Sequence, residues 1–280
     1  MLRTSMAAHS VLKCVPKYEN PPMSSTAFRT AAAVGGAPRP PAPAPALTGM
    51  ANLPSLRQLP FFAGVPEDIL VVLAARSRWQ VYAPGEVVVD SGDPTDEVFF
   101  VAEGAVRVVV RTALGYEAIL NDLGAGSFFG ELAAIDGVPR SANVTALQRT
   151  RVCAVPGPAF MDAALGSPVA GQRLMRLLAS RLRAKDDRLL EFMALPVRQR
   201  LMAELLRLSR DRGGGERVLS PPPQQHVLAA RIGTRRETVS REMAEMARSE
   251  LLTVGRRAIV IRKPDALQAE IEARLRGAAG

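Results

Sequence analysis

Residues 129–142 read Phe129-Gly130-Glu131-Leu132-Ala133-Ala134-Ile135-Asp136-Gly137-Val138-Pro139-Arg140-Ser141-Ala142. A glycine that opens a short helix lets the backbone approach a ligand and presents unpaired N–H groups, which together make an anion site. Arg140 adds a permanently charged fork suited to a phosphate. Glu131 is the odd member, because a carboxylate beside a phosphate is repelled unless it accepts a hydrogen bond from something neutral on the same ligand. A ribose hydroxyl meets that requirement, and Ser141 can donate to the phosphate or to a base edge.

The flanks of this stretch have β texture. Short β-branched runs at Glu86–Val89, Val98–Ala102, Val106–Val110, Glu117–Leu120, Val144–Ala146 and Arg151–Val155 alternate with glycines, as in a compact all-β barrel or roll. Ahead of them, apolar positions between Leu53 and Ala75 recur at helical spacing around Gly64 and Pro66, predicting two short helices. After Pro168 one long helix is expected, with Met175, Leu178, Leu182, Leu189 and Met193 forming a stripe suited to pairing with a second copy. Lys185 and Asp186 break that stripe, which fits a ligand contact or a register-setting role.

Beyond it, Pro196–Leu208 predicts an amphipathic helix, with Gly213–Gly215 and Pro221–Pro223 bounding a loop. From Gln225 to Ser249 the spacing of Ala229, Gly233 and Val239 fits two helices joined by a tight turn. The second would begin near Thr234 and expose Arg235, Arg236, Glu237, Ser240 and Arg241, residue types able to read base edges. Val254–Val260 predicts a β-hairpin, and Leu267, Ile271 and Leu275 a terminal helix. Glu237 and Arg241 also have the spacing of an ordinary helical charge pair.

Composition bounds these readings. At 280 residues, 48% apolar and 22% charged, with mean hydropathy +0.07, the chain has the profile of a globular protein with room for two domains. The net charge of +9 is unevenly spread. Residues 51–167 hold 8 basic and 13 acidic side chains against 17 and 10 in residues 196–280, so the C-terminal part is the one suited to a polyanion. Two cysteines, Cys14 and Cys153, and two histidines, His9 and His226, are too few for a disulfide framework or a four-ligand metal site, so no metal is expected. Without an apolar run of ~18 residues or a secretory signal, a cytoplasmic protein without membrane contact is expected. Residues 1–50, with eight prolines and ten alanines, are expected to be a disordered extension.

Residues 129–142 closely resemble the phosphate-binding cassette of cyclic-nucleotide-binding domains, through Phe129-Gly130-Glu131-Leu132 and Pro139-Arg140-Ser141-Ala142. Arg236-Glu237-Thr238-Val239-Ser240-Arg241 resembles the recognition helix of the CRP/FNR family of transcription regulators, and the hairpin around Gly255 resembles its wing. The resemblance implies an α+β fold in three parts. These are a jelly-roll-like cyclic-nucleotide-binding β-roll (51–167), a dimerisation helix (168–195) and a winged helix-turn-helix with a C-terminal helix (196–280). It implies that Glu131 holds the ribose, that Arg140 holds the cyclic phosphate with help from backbone near Gly130, Leu132 and Ala133, and that Arg236 and Arg241 read guanine and Glu237 cytosine. The implied partners are double-stranded DNA, a second copy of the chain and RNA polymerase.

One departure stands out. The Thr-Ser pair that meets adenine in cyclic-AMP-responsive regulators is replaced by Lys185 and Asp186, so cyclic AMP and cyclic GMP both stay open as effectors. Two other readings compete: a family member that is ligand-independent or senses another signal, and a regulatory subunit of a nucleotide-controlled enzyme. Four cysteines would be needed for an iron–sulfur cluster, and no nucleophile–base pair or phosphate loop supports catalysis by the chain itself.

Overall fold

The structure, a computed structural model, describes residues 53–111 and 116–277. The proline- and alanine-rich stretch 1–50, with His9 and Cys14, lies outside the described residues.

The chain opens with α1 (Leu53–Arg57), a 3-10 turn at Pro60–Phe62 and α2 (Glu67–Arg76). Eight strands follow: β1 (Arg78–Tyr82), β2 (Val87–Val89), β3 (Val98–Glu103), β4 (Ala105–Arg111), β5 (Glu117–Gly124), β6 (Phe128–Phe129), β7 (Asn143–Ala146) and β8 (Thr150–Val155). The short helix α3 (Glu131–Asp136) sits between β6 and β7. The strands form two four-stranded antiparallel sheets, ordered β1-β8-β3-β6 and β2-β7-β4-β5. β1 has no counterpart in the β-branched runs, because Arg78, Trp79 and Gln80 lack their signature; antiparallel pairing with β8 brings it into the sheet.

β3 shows why the two sheets stack. Its residues Val98 to Val101 are all buried, and side chains alternate across a strand, so both faces need a cover. Phe99 and Val101 face the second sheet, in a core shared with Val88, Val106, Phe129, Val144 and Val152. Val98 and Phe100 face the helices, in a core with Leu56, Phe61, Phe62, Leu73, Phe128 and Phe160. The Phe100 ring lies 4.7–6.1 Å from those of Phe61, Phe62, Phe128 and Phe160.

α4 (Gly157–Gly166) closes the roll and α5 (Pro168–Ala194) leaves it. Ser167 caps α5 by accepting from the Ala170 N–H, and Pro168 occupies the first turn, where its missing donor costs nothing. At 27 residues α5 is about 40 Å long. Its first turns bury Ala170 and Leu174 against the roll, whereas Met175, Leu182, Leu189 and Met193 are exposed.

The C-terminal part comprises α6 (Val197–Leu208), β9 (Arg210–Gly213), β10 (Glu216–Leu219), α7 (Gln225–Ile232), α8 (Arg236–Arg248), β11 (Leu252–Val254), β12 (Ile259–Ile261) and α9 (Pro264–Gly277). Its own core includes Leu201, Leu205, Leu228, Ile232, Val239, Met246, Ile261 and Leu267. The stretch between Gly213–Gly215 and Pro221–Pro223, expected to be a loop, holds strand β10 instead. β9 and β10 pair antiparallel across Gly213–Gly215 and extend the wing into a four-stranded sheet, β11-β12-β10-β9. The arginines and aspartate of β9 hid that strand, since it is an exposed edge strand whose side chains need not be apolar.

Because Phe100 joins the helical layer to the sheet, Phe100→Ala is expected to cost about 3–5 kcal/mol of unfolding free energy, measured by denaturant titration.

Candidate functional site

Gly130 is the pivot of the cassette. It caps α3 with φ of +85°, and a Cβ there would lie 2.7 Å from Arg140 Nη1 and from the Glu97 carbonyl oxygen, so only glycine fits. Arg140 is buried, and its guanidinium donates from Nε to Thr95 Oγ1 (3.1 Å), from Nη1 to the Gly130 carbonyl (2.9 Å) and from Nη2 to the Glu97 carbonyl (2.8 Å). Three of its five N–H groups are thus committed to its own fold, and each terminal nitrogen keeps one more. Burial lowers its pKa from the usual arginine value, opposed by the negative charge of Glu97, Asp96, Asp93 and Glu131. Its backbone is pinned to the acidic turn before β3, through Arg140 N–H to the Asp93 carbonyl (3.0 Å) and Gly92 N–H to the Arg140 carbonyl (2.8 Å).

Glu131 is only 3% exposed. Its carboxylate is met by Arg181 of α5, whose Nη2 also donates to the Phe128 carbonyl (2.7 Å) and whose guanidinium lies 5.6 Å from the Phe128 ring. Arg181 lies beside the apolar stripe, where helical periodicity assigns it to solvent; the clue to its role in the sequence is that a carboxylate buried beside a short helix needs a cation. Around these residues Ala133 is buried, while Leu132 and Ser141 are exposed. Lys185 and Asp186, one turn further along α5 than Arg181, are exposed and have no hydrogen-bond or ion-pair partner among the described residues.

The second cluster lies on α8. Gly233 ends α7 in the left-handed region with φ of +63°, and a Cβ on it would come within 2.9 Å of the Phe192 ring of α5. α8 begins at Arg236 with Arg235 as its cap, two residues later than expected, because Thr234 N–H still closes the turn onto the Ala229 carbonyl. Val239, Met243 and Met246 face the core, leaving Arg236, Glu237, Ser240, Arg241 and Ala244 to line a concavity with Gln225. Arg235 is exposed beside them. Arg241 is 73% exposed and lies 3.9 Å from Glu242 rather than pairing with Glu237. Among the described residues no group of His, Cys, Asp and Glu is placed to hold a metal ion, and no helix is long and apolar enough to cross a membrane.

Residues 79–165 match the cyclic nucleotide-binding domain, and residues 199–270 match the Crp-like helix-turn-helix domain. The chain is 32% identical over 212 residues to the cyclic AMP receptor protein of Thermus thermophilus, covering 75% of this chain and 95% of the relative. It is 26% identical over 204 residues to the CRP-like cAMP-activated global transcriptional regulator of Mycobacterium tuberculosis, covering 71% of this chain and 91% of the relative. Among solved structures, a CRP/FNR-family transcriptional regulator of Thermus thermophilus superimposes with a TM-score of 0.55 at 26% identity, over 70% of this chain and all of the other. With the roll, the long helix and the helix-turn-helix in this order, the chain belongs to the CRP/FNR family as a DNA-binding transcription regulator built on a cyclic nucleotide-binding domain.

Proposed function

We propose that the chain is a homodimeric transcription regulator whose affinity for DNA is set by a cyclic nucleotide in the β-roll. The observation that carries the reading is Arg140, a buried cation immobilised by three bonds to its own fold, with an N–H remaining on each terminal nitrogen. A cyclic phosphate gives those donors an acceptor, and a ribose hydroxyl gives the Glu131 carboxylate a donor. Backbone at Gly130, Leu132 and Ala133, with the Ser141 hydroxyl, completes the sugar-phosphate site. The likeness to relatives named for cyclic AMP makes that nucleotide the first to test. Cyclic GMP is the second, because the Asp186 carboxylate can accept from the guanine N1–H and 2-amino groups while Lys185 offers only donors.

The exposed stripe of Met175, Leu182, Leu189 and Met193 on α5 serves as the seam between two copies. Two-fold symmetry then implies a pseudo-palindromic DNA site with half-sites about 34 Å apart, each read by Arg235, Arg236, Glu237, Ser240 and Arg241. RNA polymerase is the further partner, and the cytoplasm the setting.

One observation favours a second reading. Arg181 already satisfies Glu131, so that carboxylate needs no ligand hydroxyl, as a ligand-independent regulator would require. Calorimetric titration with cyclic AMP and cyclic GMP separates the two. Saturable binding of one nucleotide, weakened at least ~30-fold by Arg140→Ala, is the expected result, and absence of heat with both would leave the ligand-independent reading. Arg236→Ala is expected to relax base preference at one position of each half-site by about 1–3 kcal/mol, read by selection from randomised DNA. The pair Leu182→Glu and Leu189→Glu is expected to give monomers in analytical ultracentrifugation, since it places two like charges on each side of the seam.

A further inference from the structure

One group of buried charges lies apart from both the cassette and the exposed face of α8. Glu204 of α6 is fully buried and is contacted by three arginines: Arg188 of α5, Arg207 of its own helix and Arg231 of α7, the last at 3.2 Å. Arg231, only 5% exposed, reaches past Glu204 to a second carboxylate, Asp122 of β5. Asp122 is gripped from the other side by Arg107 of β4, whose Nε and Nη2 donate to its two oxygens at 2.8 and 2.9 Å. The β4–β5 hairpin of the roll is therefore tied to the first helix of the helix-turn-helix through one aspartate.

The tie closes a ring. α5 holds the cassette through Arg181 and, two turns further on, holds Glu204 through Arg188. Glu204 holds Arg231, Arg231 holds Asp122, and β5 leads back through β6 to Gly130 and Glu131. Phe192 packed on Gly233 braces the same joint. In this arrangement the reading residues Arg236, Glu237, Ser240 and Arg241 are exposed, so the tie does not cover the DNA-binding face. It fixes that face in place.

We propose that Asp122 is a positioning residue through which the β-roll sets the placement of the DNA-reading helix, so that two copies meet two half-sites at the correct separation. This inference rests on the dimeric reading given above. Binding of a second half-site gains from the first only when the two reading helices are held at the right spacing; a domain swinging on a loose joint loses that gain without losing any contact to DNA. A residue needed only for folding would weaken single and double half-sites alike.

The experiment uses the full-length chain with Asp122→Asn, which keeps the side-chain shape and removes the charge. Affinity is measured by fluorescence anisotropy, in saturating cyclic AMP and again in saturating cyclic GMP, for a selected two-half-site duplex and for the same duplex with one half-site scrambled. The unaltered chain is expected to prefer the two-half-site duplex, and the variant to lose about tenfold of that preference while binding the scrambled duplex as before. A variant with its preference intact, or one weakened equally on both duplexes, overturns the proposal. An unaltered chain with no preference for the second half-site overturns the dimeric reading instead, and this proposal with it.

Discussion

A carboxylate withdrawn almost wholly from water must be met by a positive charge, and at Glu131 that requirement decides where the long helix lies. The helix capped by Ser167 could leave the roll at many angles; Arg181, by engaging both the Glu131 carboxylate and the Phe128 carbonyl, selects one that passes the cassette. Everything after residue 181 inherits that direction, including the exposed Leu182, Leu189 and Met193, and Arg188. The cassette, in turn, is held in shape by the guanidinium of Arg140, which ties Gly130, Thr95 and Glu97 into one cluster.

Buried ion pairs of this kind rarely add stability, because desolvating both partners offsets most of their attraction. Their contribution is to geometry, since a buried charge tolerates few alternative placements. Apolar packing supplies the cohesion here, through the phenylalanine cluster on one face of β3 and the Leu201, Ile232, Val239 and Ile261 core in the C-terminal part. The polar contacts decide how the two cores are oriented.

This division explains what could be read from the amino-acid order. The cassette and the helix-turn-helix are local: glycine, acid and arginine at fixed spacing, or Ala229, Gly233 and Val239 at the spacing of two helices joined by a tight turn, announce themselves within twenty residues. The jelly-roll texture was legible because β-branched runs punctuated by glycine dictate short strands. β1 and β9 were not, since Arg78, Gln80, Arg210 and Arg212 owe their strand conformation to a neighbour rather than to their own preference. Arg181, Glu204 and Arg231 were invisible for a related reason: a charged residue in an amphipathic helix is assigned to solvent by default, and only the tertiary structure reveals a partner 27 or 50 positions away.

The cations that hold the cassette and the joint are all arginines. Lysine occurs four times in the chain, and only Lys185 and Lys263 fall among the described residues. Guanidinium groups stay protonated at any pH a living cell visits and offer no amine for acetylation. The described thiol, Cys153, is buried with its pKa pushed up to about 12, chiefly by loss of solvent, which leaves almost none of the thiolate that oxidants attack. Among the described residues, the cations that hold the cassette and the joint are thereby out of reach of lysine modification, and the thiol is out of reach of mild oxidation.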